Sequence, residues 1–280
     1  MKTYVLTTFS ENGFNLYGKR MINTFLKFWP KDVEIIVYTD VPIPLKNPRI
    51  HNLLISSIPE IAAFRERHKN NAEAKGLKQN QNWPKKTILE KYNYKYDAYR
   101  FCFQAMVLFP AAQYISSDAI MIWLDADVYT FKEITADYLN ELLPENYDCS
   151  YLGRTKLHSE CGWMAFRLPK CNYFLFNILE NYNRGLCFFE KDGSVPPYIF
   201  DSYRKYHEKE GLLKFLNLAE DDISTGHVWF SSPLGQRMDH LKGNYKTQKY
   251  SKERFMKHGV SEEIYAKRIY KRKLKERKSL

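Results

Sequence analysis

Asp125 and Asp127 stand one residue apart at the end of an unbroken apolar run, Ala119-Ile120-Met121-Ile122-Trp123-Leu124. A run this rich in large apolar groups, and too short for a helix, predicts a strand buried on both faces. Positions i and i+2 of a strand point the same way, so both carboxylates are presented together where the strand ends. Like charges this close persist near a core only when a cation or strong donors compensate them. Hard divalent ions take carboxylate oxygens and also hold phosphates, which points to a metal–diphosphate site at the carboxyl edge of a sheet. The structural alternative is local: Asp125 closing an Asx-turn and Asp127 capping the next turn.

A second group follows late in the chain, in Asp239-His240-Leu241-Lys242-Gly243-Asn244-Tyr245-Lys246. Here His240, Gly243 and Lys246 form an H-x-x-G-x-x-K pattern. An imidazole completes a metal site begun by two carboxylates, Gly243 lets backbone approach a ligand, and Lys246 neutralises phosphate. Against this stands a plain surface loop with a hydrogen-bonded His240 and a solvated Lys246. Arg100 is a further diphosphate or uridine candidate; its alternative is a helix-surface i, i+3 pair with Asp97.

These residues need a frame. Thr3–Phe9 reads as a strand, Ser10-Glu11-Asn12-Gly13 as a turn, and Phe14–Trp29 as a helix stopped by Pro30. Val33–Tyr38 is a second strand ending on Thr39-Asp40, so the opening predicts parallel strands with a right-handed crossover. Asn52–Ile55 is a third short strand candidate, and residues 60–83 read as a surface helix and a polar loop. Thr87–Leu108 predicts one long helix feeding the Asp125 strand. Later strands are expected at Asp148–Leu152, Gly162–Leu168 and Leu212–Leu218, with helices over Cys171–Arg184 and Asp201–Glu210. This is an α/β pattern with ample core for its 280 residues, read as one domain over 1–250 and a basic tail over 251–280.

Composition narrows the classes. Hydrophobic residues at 44% and charged residues at 27% are ordinary for a globular chain. The 21 Tyr and 18 Phe suit stacking on sugars or bases, and equally an aromatic core. Five dispersed cysteines with no C-x-x-C pair disfavour a zinc ribbon or a disulfide framework, and fit a reducing cytoplasm. The start goes directly into a strand pattern without a signal-peptide core, and the mostly apolar stretch Phe101–Ala112 is too short to span a bilayer. Net charge is +11, and residues 267–278 hold eight Lys or Arg against Glu276 alone, 8 − 1 = +7. Such a cluster is either a solvated helix end or a surface for an anionic partner, nucleic acid or membrane.

In order along the chain, the Thr7-Thr8 strand end, the Asp40 strand end, the Asp125-Ala126-Asp127 triplet and the late H-x-x-G-x-x-K resemble a GT-A glycosyltransferase. The similarity is to the glycogenin and bacterial galactosyltransferase type, and it runs from about residue 3 to residue 246. The resemblance implies an α/β, Rossmann-like fold with a mixed, mainly parallel sheet flanked by helices. It implies that Asp125, Asp127 and His240 hold a divalent cation, Mn2+ or Mg2+, against a nucleotide-sugar, a UDP-sugar by type. Asp125 would also lie near the ribose. Lys246 would contact the diphosphate, Thr7 or Thr8 the nucleotide, and Asp40 the base or ribose. The segment from Glu160 through Gly162 would shape the acceptor floor. Trp163 there would stack on a sugar, or simply fill the core. Asp201 or Glu160 would serve as base if configuration inverts, and Asp201 would steady the reacting centre if it is retained. The structural alternative for Asp201 is a helix N-cap after Pro196-Pro197. One departure stands out: the family follows its lysine with Pro-Trp, where this chain has Thr247-Gln248.

For the acceptor, the charge favours a polyanion such as DNA carrying a hydroxymethylated base, as in phage-type DNA glycosylation; a surface glycan such as lipopolysaccharide is the alternative. Two other classes compete. A non-catalytic nucleic-acid-binding protein has no use for paired acids. A phosphatase or nucleotidyltransferase shares the acid pair but does not require the His-Gly-Lys segment.

Overall fold

The computed structural model describes residues 1–77, 92–115, 117–155, 157–190, 192–219, 228–230, 232–247 and 250–251. The expected basic cluster at 267–278 and the polar loop at 78–83 lie outside the described residues. Nine strands are described: β1 (Lys2–Phe9), β2 (Glu34–Thr39), β3 (Ile50–Leu54), β4 (Ala119–Leu124), β5 (Val128–Thr130), β6 (Cys149–Leu152), β7 (Glu160–Arg167), β8 (Phe215–Asn217) and β9 (Met238–His240). Seven form one sheet in the order β3-β2-β1-β4-β7-β6-β8. β1 is parallel to β2 and β4, β2 to β3, and β6 to β8, while β7 runs antiparallel between β4 and β6. This is the mixed, mainly parallel sheet flanked by helices that the sequence implied.

The uninterrupted apolar character of β4 has a direct cause: it lies inside the sheet, and both faces are covered. One face carries Met121 and Trp123 into a cluster with Met164, Phe166, Phe174, Phe200 and Tyr182. The other carries Ile122 and Leu124 into a cluster with Val5, Phe25, Val37, Trp163 and Trp229. Most of the aromatic surplus goes here, as edge-on ring packing among residues such as Phe174, Phe200 and Phe215. Trp163 is fully buried, which assigns it to the core.

Two expected helices differ in detail. Thr87–Leu108 is not one helix over its described part: Asp97 accepts the backbone N–H of Arg100 and starts a helix at Ala98–Met106, and a second helix covers Leu108–Tyr114. Pro110 sits in the first turn of that second helix, where its missing N–H costs nothing. Asp201 is not an N-cap, because its helix already begins at Pro196 and runs to Lys209, placing Asp201 in the second turn with a buried side chain. The first helical stretch begins at Glu11, passes through a π-helical turn at Phe14–Gly18 and continues as Lys19–Phe28. Trp29 ends it and Pro30 follows. No described helix is long and apolar enough to cross a membrane, and all five cysteines are buried and unpaired by disulfides.

A two-stranded ribbon decides the position of the late motif. β5 leaves the Asp125-Ala126-Asp127 turn and pairs antiparallel with β9, setting Val128 opposite His240. Asp127 C=O then accepts the N–H of Leu241 at 3.0 Å. Two segments more than a hundred residues apart are thereby fastened backbone to backbone.

Candidate metal and diphosphate site

Asp125 begins where β4 stops. Its N–H donates to Gly162 C=O at 3.0 Å and its own C=O accepts from Val128, a tight turn that reverses the chain into β5. Its Oδ1 accepts from the indole of Trp123 at 2.9 Å, leaving Oδ2 at 3.4 Å from Nε2 of His240. Asp127 Oδ1 lies 3.0 Å from the same Nε2, and its Oδ2 lies 3.0 Å from Nζ of Lys246. The ligand atoms of Asp125, Asp127 and His240 all fall within 4.8 Å of one another. Adjacent ligands on a six-coordinate ion with bonds of about 2.1 Å sit about 3 Å apart, so this donor set fits a divalent cation with little rearrangement.

The charges show the same tension. Burial pushes the Asp125 carboxyl up to about 6, against the pull of His240, with Asp127 and Glu160 adding repulsion. For Asp127 burial also works upward, but His240 and then Lys246 outweigh it and hold the carboxyl well below its usual range. His240 and Lys246 both lose stability as cations through burial, yet Asp127 keeps each above its ordinary value.

Other residues build the shape. Gly162 is required by contact: a Cβ there would meet His240 Cε1 at 2.7 Å and Nδ1 at 2.8 Å. Gln104, from the helix Ala98–Met106, bridges Cys161 C=O at 2.8 Å and Asp125 Oδ1 at 3.4 Å. Tyr17, on the π-helical turn, places its ring 4.7 Å from the Lys246 ammonium, and Gly13 leaves room for its hydroxyl. Trp229 packs edge-on to the His240 ring, with centroids 5.2 Å apart. Sequence reading assigned no site role to Gly13, Tyr17 or Gln104, whose places depend on the close approach of Tyr17 to Lys246 and of Gln104 to Asp125.

The remaining expected residues divide. Thr7 and Thr8 end β1 beside β4, where Leu6 pairs with Trp123 and so brings Thr8 level with Asp125. Thr7 is fully buried and its Oγ1 has no hydrogen-bond partner among the described residues. Asp40 ends β2 on the same edge, and its Oδ1 accepts from the N–H groups of Glu11 and Val41. Gly243 has φ +56, a left-handed turn, with open space where a Cβ would stand. Arg100 is exposed on the rim. Its expected partner Asp97 instead caps Arg100's N–H at 2.9 Å and accepts the Tyr92 hydroxyl at 2.9 Å. Glu160 lies under the site: Oε1 accepts from Gly162 N–H and stands 3.8 Å from His240 Nδ1, while Oε2 is bonded by Lys242. Asp201 is set apart, with Oδ2 accepting from Ser159 N–H at 2.8 Å and Oδ1 from Ser159 Oγ at 2.5 Å and Arg204 Nε at 3.1 Å.

No protein-family model matches the chain, and no curated protein sequence does. Among solved structures, mouse xyloside xylosyltransferase 1 in its apo form is similar at 11% identity and a TM-score of 0.43, over 78% of this chain and 85% of that one. A glycosyltransferase involved in the glycosylation of the major capsid of PBCV-1 is similar at 10% identity and a TM-score of 0.48, over 88% of this chain and 96% of that one. The apo glycosyltransferase GlyE of Streptococcus pneumoniae TIGR4 is similar at 11% identity and 0.42, over 78% of this chain and 45% of its own. Likenesses this distant bring no chemistry with them.

Proposed function

We propose that this chain is a metal-dependent glycosyltransferase that moves a sugar from a nucleoside-diphosphate sugar, a UDP-sugar by its motifs, to an acceptor hydroxyl. One observation carries the reading: Asp125, Asp127 and His240 converge at the carboxyl edge of a mainly parallel sheet, with Lys246 held on Asp127. A phosphate-binding surface alone has no reason to place two acids there. A bound divalent cation supplies Lewis-acid neutralisation of the diphosphate.

The protein's own groups do the rest. Asp125, Asp127 and His240 would hold the cation, and Lys246, 3.0 Å from Asp127 Oδ2, would stand beside it to meet the negative charge that grows on the departing diphosphate. Gly243 leaves open space over the turn that carries it. Thr8 and Asp40 would line the same edge on the nucleotide side, Thr7 being buried within β1, and Arg100 would bring a further positive charge. Glu160 and Asp201 have their oxygens engaged by Lys242, Gly162, Ser159 and Arg204. We therefore assign both a positioning role, Glu160 beneath His240 and Asp201 beneath the Ser159–Glu160 segment.

The test is release of UDP from UDP-glucose, UDP-galactose and UDP-xylose with Mn2+, repeated with EDTA. Slow, EDTA-sensitive release from one donor is expected. Neither hydrolysis nor Mn2+-dependent binding of any donor would remove the reading.

A further inference from the structure

Away from the metal site, His207 is a titratable side chain buried in apolar surroundings. It lies in the last turn of the helix Pro196–Lys209 and is 2% exposed. Neither ring nitrogen has a hydrogen-bond partner among the described residues. The ring is walled by aromatics, with centroid distances of 5.3 Å to Phe174, 6.1 Å to Tyr173 and 5.6 Å to Tyr206. Phe174 belongs to the helix Asn172–Asn183 and stands edge-on to Phe200 and Phe215 in the core. His207 therefore fills the seam between two packed helices. A neutral imidazole there gives up its bonds to water, and an imidazolium would give up the hydration of a charge as well.

Among the described residues no carboxylate pairs with this ring to offset that cost. On its own helix Arg204 holds Asp201 and Glu208, while Lys205, Glu208, Lys209 and Glu210 are exposed. The neighbouring helix brings the Tyr173 phenol and a single acid, Glu180, seven residues farther on and bonded by Asn183. Lys214, before β8, is exposed, and its N–H goes to Asp148, which also takes the Lys170 ammonium. The carboxyl end of a helix favours a cation, but this ring is out of water. Burial accordingly lowers the imidazole below its ordinary value. Unfolded, it takes a proton near pH 6.5; buried, it takes one only at lower pH, so stability is lost as pH falls below about 6.5.

We propose that His207 is an acid-sensitive latch: neutral, it seats the helix Pro196–Lys209 against its neighbour; protonated, it opens the end of that helix to water and slackens the grip of Asp201 on the Ser159–Glu160 segment. The connection runs along one helix. Asp201 stands six residues before His207, and its two oxygens take the N–H and the hydroxyl of Ser159, the residue before Glu160. A helix that keeps its carboxyl-terminal turn packed keeps Asp201 in place, and local opening at its least stable end spreads inward. The latch acts on the protein's own backbone and stands independently of the donor reading.

Hydrogen exchange, corrected for the intrinsic pH dependence of amide chemistry, tests it without metal or donor. Between pH 7.5 and 5 the protection of amides over 203–212 should fall at least fivefold further in wild type than in His207→Phe or His207→Gln, neither of which takes a proton. The ceiling is about thirtyfold, set by the ordinary histidine value near 6.5. The Ser159 N–H should lose protection in step. His68, lowered by burial, and Asp125 and His240, both raised, are common to all three proteins and drop out of the difference. Either variant suffices if the other does not fold. An equal change in wild type and variant would overturn the latch, as would a wild-type His207 ring that titrates near 6.5 by NMR with its helix intact. Acid loss confined to 203–212, with Ser159 unmoved, would overturn the link to the metal-site segment.

Discussion

Two carboxylate centres lie on either side of Glu160, and they treat buried charge in opposite ways. Around Asp201 the oxygens are met by Ser159 N–H, Ser159 Oγ and Arg204, all fixed by the fold. Around Asp125 and Asp127 two acids share one imidazole and one lysine, and a third acid, Glu160, adds to the repulsion. The first centre is satisfied and holds a segment in place. The second, proposed above to hold a cation, keeps its acids with an imidazole and lysine side chains, and Lys246 reaches in from a side chain that is about one-third exposed. A buried acid therefore says little by itself; what matters is whether its partners are fixed donors or exchangeable cations.

The contrast breaks most sharply at the metal side. Asp127→Asn should lower transfer by at least about 100-fold, beyond the loss typical of removing an outer-shell partner. The fold should survive, because the amide keeps an acceptor for His240 or Lys246 although both lose the charge they pair with. Thermal unfolding with and without Mn2+ plus UDP reads both effects, and a variant stabilised by the pair as strongly as wild type would end the ligand assignment. Asp201→Ala should behave oppositely: a stability loss of about 3 kcal/mol from stranded partners, measured by urea unfolding. Wild-type stability there would show that the Ser159–Arg204 network holds nothing.

Gly162→Ala sharpens the comparison without touching any carboxylate. The added methyl must displace His240, so Mn2+ affinity should fall by about tenfold at a stability cost of about 1 kcal/mol. Titration calorimetry that finds wild-type affinity would mean the imidazole can shift without consequence.

The smallest effect is in pH. With its carboxyl raised to about 6, metal-free Asp125 binds a proton more readily folded than unfolded. That contribution to stability is fully present below about pH 4, the ordinary carboxyl range, and is lost as pH rises from there to about 6; His240, also raised, loses its share above about pH 6.5. Mn2+ reverses the slope, because it competes with those protons and binds better as they leave. Melting curves of wild type and Asp125→Asn should differ in slope between about pH 4 and 6 without Mn2+. Parallel curves would show that Asp125 is not strained by its neighbours.

Much of this was legible from residues alone. The β4 run could only be a strand buried on both faces, and its acids had to emerge at its end, because apolar burial and period-two geometry act locally. The β1–helix–β2 opening is legible for the same reason. The Asp97 cap and the break before Pro110 were also local, but the apolar period running across them suggested one continuous helix. Asp201 looked like a cap because Pro196-Pro197 precedes it, whereas the helix simply starts at the prolines.

What the sequence by itself determined is the list of groups: two acids at a strand end, an imidazole, a glycine and a lysine in a late turn. What only the tertiary structure decided is that they meet. β5 and β9 are three residues each, too short to leave a periodic trace, and their pairing joins positions 128 and 240 through backbone hydrogen bonds that carry no side-chain signature. The same holds for the space at Gly162, which exists only because His240 arrives from the far end of the chain. Burial is a property of a segment and can be read along it, while convergence is a property of the folded whole.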